Sequence, residues 1–532
     1  MVKVTIAQGT LIGKKSETPN GFEYIEFLQI PYAKPPIGTL RFKSPQPPEK
    51  WEGERDATQT NENLIGLQYN SLDQSYAGSE DCLYLNVFTP EIPGASSKLL
   101  PVMVYIHGGG FVGGNGTIKK FGSPDFFLDK EVVVVTINYR LGFFGFFSLD
   151  IPEAAGNMGL KDQTFALKWI QNNINHFGGD KDNVTLFGIS AGSASIEYHL
   201  LSPSSKGLYH KAIMQSGSAL NSWAINRNIK ELALKTARDL EYKGSDDNDM
   251  ELYNFFINKT TDELKPVFFE DYQSNSKNLY FGYVPTIEKD LKNGDAFLTE
   301  EPYNLLKQGK FNRVPVIRGY CKHEGLLTAI LKPQHFKEMV QTRNFLDIWN
   351  YPFNPSENDK YNEKFKELYL EGKMHKNEDD FAIDFFGDYE FVIGIWISNK
   401  ITIENGVPAY GYVFSYDGNI NYVKTLFEMK RKGISHGDDT SYTLKVELPK
   451  SVIPNETDEI IINRISKMWT DFAKTGNPTP STNQLVPVKW PVLSSKSEQQ
   501  YLIIDKRLEV TNPQDKRKIE LFEELVQKYK SI

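Results

Sequence analysis

A serine lies between two glycines in residues 187–193, which read Phe-Gly-Ile-Ser-Ala-Gly-Ser. An apolar run at 184–187 precedes the serine, Ser190, and helix-compatible residues at 194–201 follow it. In the order strand, sharp turn, helix, this G-x-S-x-G pattern exposes the serine oxygen at a helix N-terminus, where it can act as a nucleophile. Taken alone, the motif could also be a glycine–serine turn without a catalytic role. The presence or absence of the other parts of a hydrolase site must distinguish these two interpretations.

Donors for an oxyanion are expected at residues 107–111, His-Gly-Gly-Gly-Phe, directly after the apolar run at 102–106. Attack of a serine on a carbonyl creates an oxyanion that needs preorganised N–H donors. Consecutive glycines let the backbone approach a ligand closely, as in the oxyanion loop of lipases and esterases. A glycine-rich turn without a ligand is the alternative, and the nucleophile motif further along the chain argues against it.

A serine nucleophile also needs a base and a group that orients the base. Of the eight histidines, His436 lies late in the chain in a small polar loop at 433–439, Gly-Ile-Ser-His-Gly-Asp-Asp. The chain order serine, acid, histidine favours such a position, whereas a solvated loop histidine is the alternative. The acid is expected between them at a strand end. Glu324, which follows the predicted strand at 314–318 and precedes Gly325, is the candidate, although spacing alone does not exclude a surface glutamate.

Buried strands that alternate with amphipathic helices are predicted to position these residues. The continuous β-branched and apolar runs at 102–106 and 132–137 are typical of strands buried on both faces. Further strands are predicted at 83–88, 212–215, 314–318, 409–414 and 501–504, and helices at 160–177, 296–308, 386–400, 456–474 and 516–530. The pattern weakens between 227 and 300. The alternation predicts an α/β fold with a large, mostly parallel central sheet and helices on both faces.

Composition narrows the class of protein. The 532 residues contain no Pro/Ser/Gly-rich linker, so we expect one domain over 1–532 with insertions rather than several domains. The net charge of −8 argues against nucleic acid or an anionic membrane as a partner. No apolar leader and no run of 18 apolar residues occur, and only two cysteines are present, so we expect a cytoplasmic protein without a transmembrane segment.

A series of motifs occurs in one order along nearly the whole chain. They include Glu80-Asp-Cys-Leu, His107-Gly-Gly-Gly, Asn138-Tyr-Arg-Leu-Gly, Gly156-Asn-Met-Gly, Gly319-Tyr-Cys-Lys-His-Glu-Gly and Ser435-His-Gly-Asp-Asp. With these motifs the sequence resembles the type B carboxylesterase/cholinesterase family, and most resembles the cytosolic α-esterases of insects. The resemblance implies an α/β-hydrolase fold and a serine carboxylesterase that needs no metal or cofactor. It also implies small-molecule substrates, lipophilic or xenobiotic esters, and binding of organophosphates.

Carried over by position, the resemblance assigns the catalytic and oxyanion residues. It implies a catalytic triad of Ser190, Glu324 and His436. It also implies an oxyanion hole formed by the N–H groups of Gly109, Gly110 and Ala191. Trp223 matches a position that lines the acyl pocket, and core packing is the alternative for this residue. The pairs Arg41 with Glu80 and Arg140 with Asp162 match structural ion pairs of the family.

Two positions depart from the family pattern. Ile189 stands where a glutamate often precedes the nucleophile, which removes an ionisable neighbour but leaves the triad complete. Cys82 matches a cysteine that is disulfide-bonded in secreted members, and no earlier cysteine exists here to pair with it. A dedicated hormone esterase, such as a juvenile hormone esterase, and a non-catalytic interaction protein of the same fold remain alternatives.

Overall fold

The computed structural model describes residues 1–70, 73–91, 98–272, 276–292, 294–349, 354–371, 376–494 and 498–529. Within these ranges the strands are β1 Val2–Ile6, β2 Gly9–Glu17, β3 Glu23–Pro31, β4 Glu54–Asp56, β5 Gln68–Asn70, β6 Ser75–Ala77, β7 Tyr84–Thr89, β8 Leu100–Ile106, β9 Val133–Ile137, β10 Gly179–Ile189, β11 Lys211–Gln215, β12 Val316–Cys321, β13 Ala409–Phe414, β14 Tyr501–Ile504 and β15 Glu509–Thr511.

The helices connect these strands and cover the sheet. They are α1 Asp125–Leu128, α2 Gly142–Phe146, α3 Met158–Asn173, α4 Ala191–Leu201, α5 Ile229–Asp239, α6 Asp249–Ile257, α7 Thr261–Tyr272, α8 Pro302–Lys307, α9 Leu326–Leu331, α10 Pro333–Thr342, α11 Pro355–Tyr369, α12 Asp380–Gly387, α13 Ile393–Glu404, α14 Tyr422–Leu426, α15 Thr440–Thr443, α16 Glu456–Thr475 and α17 Lys516–Tyr529. Among the described residues, no helix combines the length and apolarity needed to cross a bilayer.

The central sheet has a parallel core. The strands β9-β8-β10-β11-β12-β13-β14 are neighbours in this order and pair in parallel. Antiparallel strands flank the core, β7 beside β9 and β15 beside β14. Parallel strands place all their carboxyl ends at one edge of the sheet, so the loops that follow β8, β10, β12 and β13 are brought together there.

Both faces of the sheet are buried, as the continuous apolar runs predicted. Along β8 the side chains of Val102, Val104 and Ile106 join one apolar core, whereas Met103 and Tyr105 join the other. This alternation follows from the two-residue period of a strand. Helix α4 packs against β10 and β11 on one side, and α16 packs against β8 and β10. The predicted fold class is confirmed: an α/β-hydrolase fold with a large, mostly parallel sheet and helices on both faces.

Two helix predictions differ from the structure. The helix predicted at 296–308 is confined to α8, because the Glu288 carboxylate accepts the backbone N–H of Phe297 (2.9 Å) and holds the preceding segment outside the helix. The helix predicted at 386–400 contains a π-helical turn, Asp388–Val392, between α12 and α13. The region in which the pattern weakens, 227–300, contains α5, α6 and α7.

The two ion pairs implied by the resemblance are present and buried. Arg41 donates from Nε and Nη2 to the two carboxylate oxygens of Glu80, each at 2.6 Å. Arg140 likewise donates to both oxygens of Asp162, at 2.7 and 2.6 Å. Bidentate geometry of this kind gives the strongest charge-assisted hydrogen bonds, which compensates for the desolvation of both charges.

A third buried pair lies directly beneath the nucleophile helix. Arg318 of β12 donates from Nη2 to Glu197 Oε1 of α4 at 3.0 Å, and both side chains are almost fully buried. The second oxygen of Glu197 accepts the Ser218 hydroxyl (2.5 Å) and the backbone N–H of Ala219 (2.9 Å). The pair therefore joins α4 to β12, the strand that leads to Glu324.

Loss of the Glu197 charge should destabilise the fold. In the variant Glu197→Gln the Arg318 guanidinium stays buried without a counterion, so we expect the free energy of unfolding to fall by about 3–5 kcal/mol. Urea denaturation measures this change. The matched control is Lys516→Gln, which removes an exposed (i, i+4) pair with Glu520 and should cost less than about 0.5 kcal/mol. Equal losses in both variants would contradict the role of the buried pair.

Candidate active site

The nucleophile turn has the strained geometry that its sequence predicted. Ser190 lies between β10 and α4 with φ 57° and ψ −123°, a conformation that residues with a side chain rarely adopt. Its backbone N–H donates to Gln215 O of the neighbouring β11 (2.8 Å), and its carbonyl accepts from Ala194 N (2.9 Å). The Ser190 side chain is partly exposed at the N-terminus of α4, as a nucleophile requires.

The glycine loop after β8 lies against this turn. A Cβ on Gly108 would lie 3.1 Å from Ser190 Cβ and 2.7 Å from Ile189 O, so no larger residue fits there. Gly109 and Gly110 both have positive φ, 109° and 61°. Ala191 is the first residue of α4, where a backbone N–H has no acceptor within the helix. The three predicted oxyanion donors thus belong to two segments that adjoin the nucleophile.

His107 fixes the start of the glycine loop. Its ring stacks on Tyr139 with 4.4 Å between centroids, and its Nδ1 lies 2.8 Å from Gly108 O. Burial lowers the pKa of His107 to about 4, so the ring is neutral near pH 7 and its Nδ1–H donates to the carbonyl. The Tyr139 hydroxyl donates to His107 O at 3.0 Å and ties the loop to the segment after β9.

The predicted acid and base are in contact. His436 Nδ1 and Glu324 Oε2 are 2.6 Å apart, and both side chains are buried. Glu324 Oε1 accepts the backbone N–H of Cys321 (2.7 Å) at the end of β12. Gly325 is required here, because a Cβ would lie 2.2 Å from Ile383 O. The carboxylate holds the imidazole through Nδ1 and so leaves Nε2 as the ring nitrogen available to act as a base.

Two aspartates that the sequence interpretation left without a role hold the loop of His436. Asp438 accepts the backbone N–H of Ser435 (2.7 Å) and of Lys424 (2.9 Å). Asp439 accepts from Gln215 Nε2 at 3.0 Å. Because Gln215 O also accepts the Ser190 N–H, one residue of β11 connects the nucleophile turn to the base loop. The Ser-His-Gly-Asp-Asp motif was the available signal for both aspartates.

An aromatic wall lies beside the base. We define it as Trp223, Phe281 and Phe391. Phe391 stacks on His436 with 4.2 Å between ring centroids, and Trp223 lies 5.8 Å from Phe391 and 6.3 Å from Phe281. A Cβ on Gly110 would lie 2.9 Å from the Phe281 ring, so the wall also reaches the glycine loop. The sequence analysis named Trp223 as a candidate and did not name Phe281 or Phe391, which occupy segments without a motif.

Ile189 and the two cysteines, which the sequence analysis also singled out, are all buried. Ile189 lies beside Ser190, and Cys82 and Cys321 are free thiols. Among the described residues, no hydrogen bond joins the Ser190 hydroxyl to His436, and such bonds often tighten only when substrate binds. Within the same residues, no group of three or more His, Cys, Asp or Glu side chains could hold a metal ion.

Comparison with known proteins identifies the family of the chain. The profile of the Carboxylesterase family matches residues 1–522. The juvenile hormone esterase of Tribolium castaneum is 35% identical over 512 residues, which cover 89% of this chain and 84% of the relative. Esterase E4 of Myzus persicae is 35% identical over 502 residues, 91% and 88% of the two chains. The cholinesterase of Mus musculus is 32% identical over 502 residues, 90% and 79% of the two chains.

A solved structure shows the same architecture. The crystal structure of juvenile hormone esterase from Manduca sexta, with OTFP covalently attached, superposes with a TM-score of 0.85. The two chains are 26% identical, and the match covers 99% of each. The chain belongs to the type B carboxylesterase/cholinesterase family and is a carboxylic ester hydrolase.

Proposed function

We propose that the protein hydrolyses lipophilic carboxylic esters through an acyl-enzyme on Ser190. One observation carries this proposal: the strained, partly exposed Ser190 and the buried Glu324–His436 pair lie at the same edge of the sheet and are connected through Gln215. A serine at a sharp turn, a histidine and a carboxylate that orients the histidine are the three parts of a nucleophilic triad.

In the proposed reaction each group has its own step. His436 Nδ1 faces Glu324, so Nε2 takes the proton of Ser190 as the hydroxyl attacks the ester carbonyl. The N–H groups of Gly109, Gly110 and Ala191 stabilise the oxyanion of the tetrahedral intermediate. Protonated His436 then donates to the leaving alcohol, and afterwards it activates a water that releases the acid. Glu324 stabilises the imidazolium through its contact with Nδ1.

Trp223 is proposed to limit the size of the acyl group. It is buried, and its indole N–H donates to Glu390 O at 2.7 Å. Its ring contacts Phe391, which in turn stacks on the base, so the indole lies one ring away from His436. This position supports a pocket role over core packing alone, since the neighbouring rings face the reacting groups.

A dedicated juvenile hormone esterase is the second candidate function. The relative from Tribolium castaneum and the solved structure from Manduca sexta both carry that name. Steady-state kcat/KM values for juvenile hormone and for a panel of aliphatic and aryl esters distinguish the two candidates. A kcat/KM for juvenile hormone far above all other esters favours the dedicated enzyme, and comparable values across the panel favour a broad esterase.

Removal of the nucleophile should abolish turnover without unfolding the protein. We expect Ser190→Ala to lower kcat for a nitrophenyl ester by at least about 10⁴-fold, because no other group accepts the acyl chain. An organophosphate should add its phosphoryl mass to the wild-type protein and not to the variant, as measured by intact-mass spectrometry. The control Ser204→Ala changes an exposed serine and should keep wild-type rates. Near-wild-type turnover by folded Ser190→Ala would refute the assignment.

A negative charge in the glycine loop should oppose the oxyanion. We compare Gly110→Asp with its uncharged isostere Gly110→Asn, because any side chain here meets the Phe281 ring and a positive φ. Both variants lose activity for this steric reason. The aspartate should lose a further 10-fold or more in kcat, roughly 1–2 kcal/mol of transition-state stabilisation. Equal kcat values for the two variants would place the developing charge elsewhere.

A smaller residue at position 223 should change acyl selectivity. We expect Trp223→Leu to raise kcat/KM for branched or bulky acyl esters relative to acetate esters, by roughly 1–3 kcal/mol in selectivity. The control Trp469→Leu truncates a buried tryptophan in the core of the opposite sheet face and should lower stability without changing the selectivity. If Trp223→Leu lost activity on all acyl sizes equally, Trp223 would be a core residue only.

A further inference from the structure

Glu390 is a buried carboxyl group that precedes Phe391 of the aromatic wall, and the triad does not use it. It lies in the π-helical turn Asp388–Val392 and has no exposed surface. Turns of this type leave backbone groups free for partners outside the helix and are frequent at functional sites. Here two carbonyls of the turn accept from side chains outside the helix: Glu390 O accepts the indole N–H of Trp223, and Phe391 O accepts Asn221 Nδ2 (3.0 Å).

The Glu390 carboxyl connects two further segments of the site. Its Oε1 accepts the backbone N–H of Leu279 at 2.9 Å, two residues before Phe281 of the wall. Its Oε2 accepts the hydroxyl of Thr328 in α9, the helix that begins just after Glu324. One side chain therefore holds the segment of Phe281, the turn of Phe391 and the helix beside the acid in fixed relation.

The charge of this carboxyl responds to pH near neutrality. Burial raises the pKa of Glu390 to about 7, although the hydrogen bonds from Thr328 and Leu279 and the positive charge of Lys332 oppose the rise. Tyr389, on the same turn, is a further titratable group beside Glu390. Burial raises the pKa of Tyr389 to about 12, so Tyr389 stays neutral. Desolvation thus outweighs every interaction that favours the ionised form.

We propose that Glu390 is a specificity-determining positioning residue, whose neutral form holds the aromatic wall closed and whose ionised form opens it to larger acyl groups. The inference rests on the proposed function, because it concerns the acyl side of the same site. Its physical basis is linkage: a carboxylate disfavoured by burial shifts the protein toward conformations in which it is more hydrated. The carboxyl is held by Leu279 and Thr328, so its hydration requires the segment of Leu279, which carries Phe281 of the wall, or helix α9 to move away from it.

The ratio of two kcat/KM values tests this inference. We compare a trimethylacetyl ester with the acetyl ester of the same alcohol between about pH 5.5 and about pH 8.5. Both esters need the same triad, so a pH effect that acts equally on all substrates cancels in the ratio. Asp438, whose pKa burial also raises to about 7, is one source of such an effect, because it holds the base loop rather than the wall.

In the wild type the ratio of trimethylacetyl to acetyl kcat/KM should rise by roughly threefold or more, with a midpoint near pH 7. The variant Glu390→Gln is uncharged at every pH and can still accept from Leu279 and bond Thr328, so its ratio should stay at the low-pH value. The matched control is Glu288→Gln, at another buried glutamate, which is hydrogen-bonded to Asn157 and Phe297 away from the wall. This control should keep the wild-type rise.

A stability measurement checks the titration independently. Because the folded-state pKa is raised from 4.5 to about 7, the folded protein binds more protons than the unfolded chain, and wild-type stability falls as pH rises through this window. Glu390→Gln does not lose stability in this way. The difference in Tm, that of Glu390→Gln minus that of the wild type, should therefore increase as the pH is raised from about 5 to about 8.

Two outcomes would overturn the inference: a pH-independent ratio in the wild type, or the same rise in Glu390→Gln as in the wild type. Either outcome leaves ester turnover by Ser190 intact and so differs from a failure of the proposed function. That failure would appear as turnover by Ser190→Ala, whatever the value of the ratio.

Discussion

The backbone conformation of Ser190 is the constraint on which the rest of the site depends. A residue with φ 57° and ψ −123° costs about 1–3 kcal/mol, and the surrounding structure must supply that free energy. Three glycines make it possible by removing side chains at the points of contact. A Cβ on Gly188 or Gly192 would lie 2.5 or 2.0 Å from Ile106 O, and one on Gly217 would lie 2.3 Å from Ser190 O. The turn is thus clamped between the ends of β8 and β11.

The parallel core of the sheet brings the other parts of the candidate site to this turn. Strands β8, β10, β12 and β13 end at one edge, so the glycine loop, Ser190, Glu324 and the loop of His436 all start from fixed positions. Charged groups then fix the loops. Glu324 orients His436, and Asp439 ties the base loop back to β11 through Gln215. The Glu197–Arg318 pair holds α4 against β12 beneath them.

The aromatic wall is organised differently, because its rings belong to three separate segments. Trp223 follows β11, Phe281 lies in an irregular segment and Phe391 lies in the π-helical turn. Rings alone do not fix such segments relative to one another, because apolar contacts have little directional preference. The hydrogen bonds of Glu390 supply the directionality, at the expense of burying a carboxyl group.

The sequence by itself determined the parts of this protein that are local or periodic. The serine between glycines, the triple-glycine loop and the apolar runs predicted the turn, the loop and the buried strands, because these depend on neighbouring residues. The resemblance of the motifs identified the family and named Glu324 and His436. Only the tertiary structure decided which distant residues meet: the 2.6 Å contact of His436 with Glu324, the stacking of Phe391 on His436 and the bonds of Glu390. These contacts join segments far apart in the chain, and no pattern of neighbouring residues encodes such pairings, since they follow from the order of strands in the sheet and from close packing.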